Sequence, residues 1–327
     1  MAESVSLQPI AEPDLINALT TESMVGAGPA LEQLDSAGLI RAFVEDQWQA
    51  VQSVLDAAPQ LEAALEAMVV RIGAGGRLVY VGAGTSGRLG LLDCVELNPT
   101  FSWPAERSLA LLAGGAAALM QAVENAEDQP QAGVDAVRGA AVGALDCVLA
   151  IAASGRTPYC IGALQEARRA GALCIALVNN PGSALGREAD HVIELLTGPE
   201  VLSGSTRLKA GTAQKIALNT LSSSLMVKLG KVYGNLMVDV RVTNEKLRIR
   251  ACRLVMQLAG VSREQALQAL AQCDYRVKTA VVMLAGQLGP EEAADLLKQV
   301  QGRLERVLLC PIAVTGEKEK GGEGAPA

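Results

Sequence analysis

Through the middle of the chain, short apolar runs alternate with longer segments in which apolar residues recur every three or four positions. Leu78–Val81 has the length and β-branched character of a strand buried on both faces, Asp146–Ala152 reads as another buried strand, and Ser108–Ala113, Leu173–Val178 and His191–Leu196 as further short apolar strands. Between them lie helical patterns at Leu89, Leu92 and Val95, at 116–127, at 133–141 and at 158–170, the last opened by Pro158 in its first turn. Five such strands separated by helices predict an α/β fold with a doubly wound parallel sheet, whose ligands gather at the carboxyl ends of the strands.

The flanking segments read differently. Residues 1–35 mix Pro, Gly and polar residues without period and predict an arm with little regular structure. Two amphipathic helical patterns follow from Ser36 to Gly73, broken near Pro59, with Asp35 or Ser36 as cap and Leu39, Phe43, Trp48, Val51 and Leu55 broadly on one side. After a loop at 197–206 comes a long helical pattern, 208–229, then a glycine-containing stretch, 230–239. From 244 the strand pattern is gone: helical segments at 244–259, 262–273, 275–287 and 290–309 predict a small all-helical domain, with Ser262 as a cap. The expected organisation is an arm (1–35), a sheet domain with N-terminal helices (36–240), a helical domain (241–312) and a charged, Gly-rich tail (313–327) expected to be disordered.

The first strand runs into Gly82-Ala83-Gly84-Thr85-Ser86-Gly87 and then a helix. Such a turn aims backbone N–H groups and the positive end of a helix dipole at one spot, a site for an anion. The letters also spell G-x-G-x-x-G, but a dinucleotide site needs an acid at the end of the next strand. Here that strand ends in Ala113-Gly114-Gly115. Thr85 and Ser86 supply hydroxyls instead, and a phosphomonoester is the better match. A tight turn without ligand is the competing reading of this stretch alone.

Composition narrows the class. Of 327 residues half are apolar, enough for a large core, and the net charge of −7, with no Lys/Arg cluster along a face, argues against nucleic acid. No basic-then-apolar leader and no run of eighteen apolar residues is seen, so a cytoplasmic protein with no membrane partner is expected. The seven cysteines are scattered without C-x-x-C and read as reduced core residues. A single histidine, His191, leaves Ser-His-Asp catalysis and a His-rich metal site without their parts.

Three hydroxyl-rich loops carry the candidate chemistry: 82–87, Ala153-Ser154-Gly155-Arg156-Thr157-Pro158, and Ser203-Gly204-Ser205-Thr206. The first two follow strands and share one sheet edge, so Gly84, Thr85, Ser86, Ser154, Gly155, Arg156 and Thr157 are expected to hold one phosphate. Helix capping by Ser154 and Thr157 is the plainer use of the same geometry. Two carboxylates, Glu96 in the first helix and Glu127 in E-N-A-E-D, are candidates for proton transfer, since a carboxylate beside an apolar sugar face acquires a raised pKa. A solvated acidic face at Glu124, Glu127 and Asp128, and a surface helix end at Glu96, are the alternatives. Lys209 and Lys215 either hold an anion or pair with neighbours.

Taken together, GAGTSGRLG with Asp93 and Glu96, AGG, ENAED, ASGRTPY, NNPGS, STRLKAGTAQK and GNLMVDV-x-x-TNEKL resemble the N-acetylmuramic acid 6-phosphate etherases, which use a sugar isomerase (SIS) domain. The resemblance implies a cytoplasmic homodimer acting on an amino-sugar phosphate, with no metal or organic cofactor, cleaving a D-lactyl ether to N-acetylglucosamine 6-phosphate and D-lactate. It matches the proton donor to Glu96, the second acid to Glu127 and the phosphate loops to Ser86 and 154–157. It likens the C-terminal helices to a ubiquitin-associated-like fold. Two stretches depart from the pattern: V-E-L-N-P-T stands where the family reads S-E-C-P-P-T, and the arm has Thr21-Glu22-Ser23-Met24-Val25 in place of the usual Asn and Ser. A sugar-phosphate-sensing regulator and an aldose–ketose isomerase are the other functions such a domain carries.

Overall fold

A computed structural model describes residues 19–23, 30–240 and 242–308. The tail and most of the arm lie outside the described residues. The chain divides into two compact units, one ending at Leu225 and the other beginning at Met226 and including the short insert Pro99–Ser102.

The first unit is built on five parallel strands, β1 (Leu78–Gly82), β2 (Ser108–Leu112), β3 (Cys147–Ala152), β4 (Leu173–Val178) and β5 (His191–Glu194), in the order β2-β1-β3-β4-β5. Every residue of β1, β3 and β4 is buried, which is why these strands read as unbroken apolar runs. Strand order reverses at β1, between β2 and β3, and there the carboxyl edge opens a crevice.

Helices cover both faces. The first stretch upstream forms α1 (Ser36–Asp46), α2 (Trp48–Asp56) and α3 (Ala58–Gly73); Asp35 caps α1 by accepting from the Gly38 amide at 2.7 Å. Beyond β1 come α4 (Gly84–Phe101), α5 (Pro130–Gly139), α6 (Pro158–Arg169), the short α7 (Ala184–Arg187) and α8 (Lys209–Lys228). Val79, Val81, Val148, Ala150 and Ala176 face a core completed by Val137 of α5, Cys160, Ala163 and Leu164 of α6 and Leu185 of α7. Tyr80 and Ile151 point to the other face, against Gly90 of α4.

Glycines set the closest approaches. A Cβ on Gly133 of α5 would lie 2.0 Å from the Tyr159 carbonyl oxygen, and one on Gly162 of α6 would lie 2.1 Å from that of Pro130. The two helices therefore pack backbone to backbone. At the amino edge of the sheet Asp146 accepts from the Arg77 guanidinium (2.6 Å), the Arg77 amide (2.8 Å) and the Gly143 amide (2.9 Å). Burial opposes its ionisation, but these bonds outweigh burial and hold its pKa below the usual carboxylate value.

The helix expected at 116–127 does not form. Gly114 and Gly115 adopt left-handed φ of 81° and 63°, only a 3-10 turn follows at Gly115–Leu119, and Asn125 is left-handed again. The physical reason is the want of a surface to pack on: Met120 is 92% exposed, and Leu119 and Val123 are also exposed. Arg88 of α4 holds the segment instead, donating to the Ala118 and Gln121 carbonyls. Of the apolar side expected on α1 and α2, Leu39 and Phe43 are half-buried while Trp48, Val51 and Leu55 face solvent.

The second unit contains a two-stranded antiparallel hairpin, β6 (Val232–Tyr233) and β7 (Leu236–Met237), turned at Gly234 with φ 55°. The hairpin was hidden in the glycine-containing stretch because each strand is only two residues long. Five helices follow: α9 (Glu245–Ala259), α10 (Arg263–Gln272), α11 (Val277–Gly286), α12 (Pro290–Gln299) and α13 (Leu304–Leu308). Ser262 caps α10 in a reciprocal capping box with Gln265. Their core is Ala251, Val255, Leu270, Ala280, Val281 and Ala293. Buried Lys278 donates to the Gly230 and Gly302 carbonyls and pairs with Asp239 at 2.7 Å. Among the described residues no helix is long and apolar enough to cross a membrane.

Candidate active site

The anion turn forms at the end of β1 as the glycine pattern requires. Gly82 and Gly87 are in such close contact that a Cβ on Gly82 would lie 2.6 Å from the Gly87 Cα, so α4 starts directly above the strand. Gly84 has φ 52° and is exposed, Thr85 is half-buried and Ser86 is buried. The first-turn amides of α4 have no intrahelical acceptor and sit at the positive end of its dipole.

The second loop lies beside it, because β1 and β3 are neighbours in the sheet. Gly155 is buried with φ 63°, and a Cβ there would lie 2.3 Å from that of Ser183. The Ser154 hydroxyl accepts from the Arg156 amide at 3.2 Å, a local turn, and Thr157 stands at the N-cap of α6 with no capping bond from its side chain. Capping therefore does not account for either hydroxyl's capacity. Ser154, Arg156 and Thr157 are all half-buried at the rim.

Two asparagines after β4 tie these loops together. The Asn179 amide and the Asn180 side chain both donate to the Ala153 carbonyl, at 3.0 Å each. Asn180 also accepts from Thr20 Oγ1 (2.9 Å) and donates to Thr21 Oγ1 (2.9 Å), so the described part of the arm is docked at this edge with Thr21 fully buried. Asn179 bonds Gln214 of α8, which bonds Ser86. Glu200 anchors α8 by accepting from the amides of Lys209 and Ala210. Burial pushes its pKa up despite those bonds and the nearby Lys209 charge.

Glu127 is exposed and lines a cavity of about 210 Å³ with Gly84, Arg88, Ala113 and Asn125, between the ends of β1 and β2. Its carbonyl accepts from the Tyr159 amide at 3.0 Å, which fixes it beside the first turn of α6 and hence beside the second loop. Glu96 is elsewhere. It is exposed on α4 between exposed Val95 and buried Leu97, twelve residues after Gly84, about 18 Å along the helix at ~1.5 Å per residue. One chain thus brings the two loops and Glu127 together and leaves Glu96 toward the opposite edge of the sheet.

Lys209 is not an anion ligand: its Nζ is buried and engaged at 2.7 Å by both Asp46 and Gln49. Lys215 is exposed. Asp93, buried without a cation, accepts from Tyr80 (2.6 Å), Asn219 (2.6 Å) and Ser222 (3.0 Å), joining α4 to β1 and α8. Burial first, and Asp93 second, push the Tyr80 hydroxyl well above its ordinary pKa. Asp93, Asn179, Asn180 and Gln214 entered the sequence reading only inside the motifs that carry the resemblance, without a role; for Asp93, Asn179 and Asn180 the signal was an acid or amide next to an apolar run. Among the described residues no group of three His, Cys, Asp or Glu side chains is placed to hold a metal.

Comparison with known proteins agrees with this architecture. Residues 60–168 match the glucokinase regulatory protein N-terminal SIS domain, 115–224 match the SIS domain, and 234–288 match the C-terminal lid domain of glucokinase regulatory protein. The chain is 57% identical over 278 residues to an N-acetylmuramic acid 6-phosphate etherase of Deinococcus radiodurans, covering 85% of this chain and 91% of that one. It is 45% identical to one of Pectobacterium atrosepticum (90% and 97% covered) and 42% to one of Bacillus subtilis (91% and 98%).

Proposed function

The chain belongs to the N-acetylmuramic acid 6-phosphate etherase family, and on that premise we propose how it cleaves the D-lactyl ether of its substrate. The products are N-acetylglucosamine 6-phosphate and D-lactate, and the reaction takes place in the cytoplasm on a free amino-sugar phosphate. The observation that carries the reading is the single cavity shared by the α4 anion turn and Glu127.

The phosphate sits on the first-turn amides of α4 and on the hydroxyls of the 153–157 loop, which orients the sugar toward Glu127. In the ring-opened sugar the C2 proton is acidified by the C1 aldehyde. A carboxylate removes it, the C3–O bond breaks toward the lactyl oxygen, and a carboxylic acid protonates that oxygen as lactate leaves. Water then adds across the C2=C3 bond: hydroxide to C3 and a proton to C2 restore the amino sugar. Each positioned proton transfer is worth roughly 10²–10⁴-fold in rate.

Two acids are needed; of the two candidate acids Glu96 and Glu127, one chain brings Glu127 to this cavity, beside Glu124, and not Glu96. We therefore assign the other to Glu96 of a second copy, in a homodimer whose sites are shared. Exposed Glu96 lies among exposed Leu92 and Val95, a surface suited to an interface. The departures V-E-L-N and T-E-S-M lie at Glu96 and in the arm. The described part of the arm is held at the site edge by Asn180.

The test is release of D-lactate from N-acetylmuramic acid 6-phosphate by purified protein. Glu96→Gln and Glu127→Gln each lower turnover by about 10²-fold or more. No lactate at high enzyme concentration refutes the reading, and tight hexose 6-phosphate binding without turnover would indicate a sensor instead.

A further inference from the structure

Asn180, only 1% exposed, ties the described part of the arm to the 153–157 loop, and its side chain uses its full hydrogen-bonding capacity to do so. Its Oδ1 accepts from Thr20 Oγ1 at 2.9 Å and from the Thr21 amide at 3.4 Å; its Nδ2 donates to Thr21 Oγ1 at 2.9 Å and to the Ala153 carbonyl at 3.0 Å. Three of these bonds go to the arm, and the fourth goes to the residue that opens the loop. Thr21 is fully buried at this junction, and Ser203 holds the arm two residues on by donating to the Ser23 carbonyl at 3.2 Å. On the loop side the Ala153 carbonyl also takes the Asn179 amide at 3.0 Å, and the Gly155 carbonyl takes the Leu185 amide at 2.9 Å. The loop backbone is held in this way from behind, with Ser154, Arg156 and Thr157 half-buried at the rim.

The arm helps to decide which way Asn180 points. A backbone amide only donates and a backbone carbonyl only accepts, so Oδ1 must face the Thr21 amide and Nδ2 must face Ala153. Without the Thr21 hydroxyl, one buried proton of Nδ2 has no acceptor, and the side chain must move to find one. Such movement draws on its remaining Nδ2 bond, the one to Ala153. We propose that Thr21 is a positioning residue for the phosphate: fully buried, it offers the ligand no surface, and it acts through Asn180 on the shape of the 153–157 loop. The proposal rests on the reading of that loop as a phosphate seat, and it adds the arm to what the seat needs. A docked arm and a bound phosphate then favour each other, because whatever one does to the other's equilibrium is returned by the same factor.

Calorimetric titration of the full chain with N-acetylglucosamine 6-phosphate and with inorganic phosphate tests it. Thr21→Val keeps the volume and removes the hydroxyl. A loop that then holds its phosphate-binding shape about a tenth of the time weakens both probes by the same factor, about tenfold, and Thr21→Ser restores both. The fitted stoichiometry counts folded chains while the dissociation constant reports the loop, so a role confined to stability lowers the first and leaves the second unchanged. Hydrogen exchange on the unaltered chain reads the converse effect and keeps the test decisive should Thr21→Val fold poorly: saturating N-acetylglucosamine 6-phosphate slows exchange of the Thr21 amide by a similar factor. Equal affinities of Thr21→Val and wild type, or an exchange rate at Thr21 that the sugar phosphate leaves unchanged, overturns the inference alone. A wild-type chain that binds neither probe overturns the phosphate reading of the loop, and this inference falls with it.

Discussion

Mixing two inactive variants distinguishes a shared site from a single-chain site. Glu96 stands about 18 Å down α4 from the turn that shares a cavity with Glu127, farther than a hexose reaches from a phosphate held at Gly84. If the site takes Glu127 from one copy and Glu96 from another, a dimer of one Glu96→Gln chain and one Glu127→Gln chain has one site with both acids and one with neither. Random reassortment of equal amounts makes half the dimers mixed, so about a quarter of wild-type turnover returns in a two-fold dimer. Each variant alone retains ~10⁻² or less of wild-type turnover. The assay is D-lactate release after co-refolding or subunit exchange, with the unmixed variants as baselines. Turnover that stays at the baseline although mixed dimers are isolated, for example by two different affinity tags, refutes the shared site.

Two further outcomes follow from the packing. Asp146→Asn lowers stability by about 3 kcal/mol at pH 7, because it breaks a largely buried ion pair and an acceptor of two backbone amides. Since the folded carboxyl has a depressed pKa, its contribution is present above the unfolded value near ~4 and is lost as pH falls through the folded one, so urea midpoints of variant and wild type converge in acid; a gap unchanged from pH 7 to pH 2 would contradict this. Gly162→Ala places a methyl group 2.1 Å from the Pro130 carbonyl oxygen, a backbone overlap that costs about 1–3 kcal/mol or more and shifts the start of α5, three residues beyond Glu127. Both melting temperature and lactate release should fall, and wild-type values for both would show that α5 and α6 are not in the contact described.

Much of the fold was legible because its physics is local. A strand buried on both faces must be apolar throughout, so β1, β3 and β4 stand out in the sequence, and a helix starting on a strand's last glycine leaves the pattern seen at 82–87. Caps at Asp35 and Ser262 involve residues three apart and were readable for the same reason. The segment 116–127 was misread because helical periodicity has meaning only where a surface receives the apolar side.

What the chain order alone determined is the set of parts: the parallel sheet, two hydroxyl loops at its carboxyl edge, a helical C-terminal unit and a pair of candidate acids. Only the tertiary structure decided which parts meet. Glu127 reaches the anion turn because β2 and β1 are neighbours and Tyr159 binds its carbonyl, whereas Glu96 is carried away by the rise of its own helix. The link from Ser86 to Gln214 and on to Asn179 was likewise beyond sequence, since these pairs lie 128 and 35 positions apart and only folding brings each within 2.9 Å.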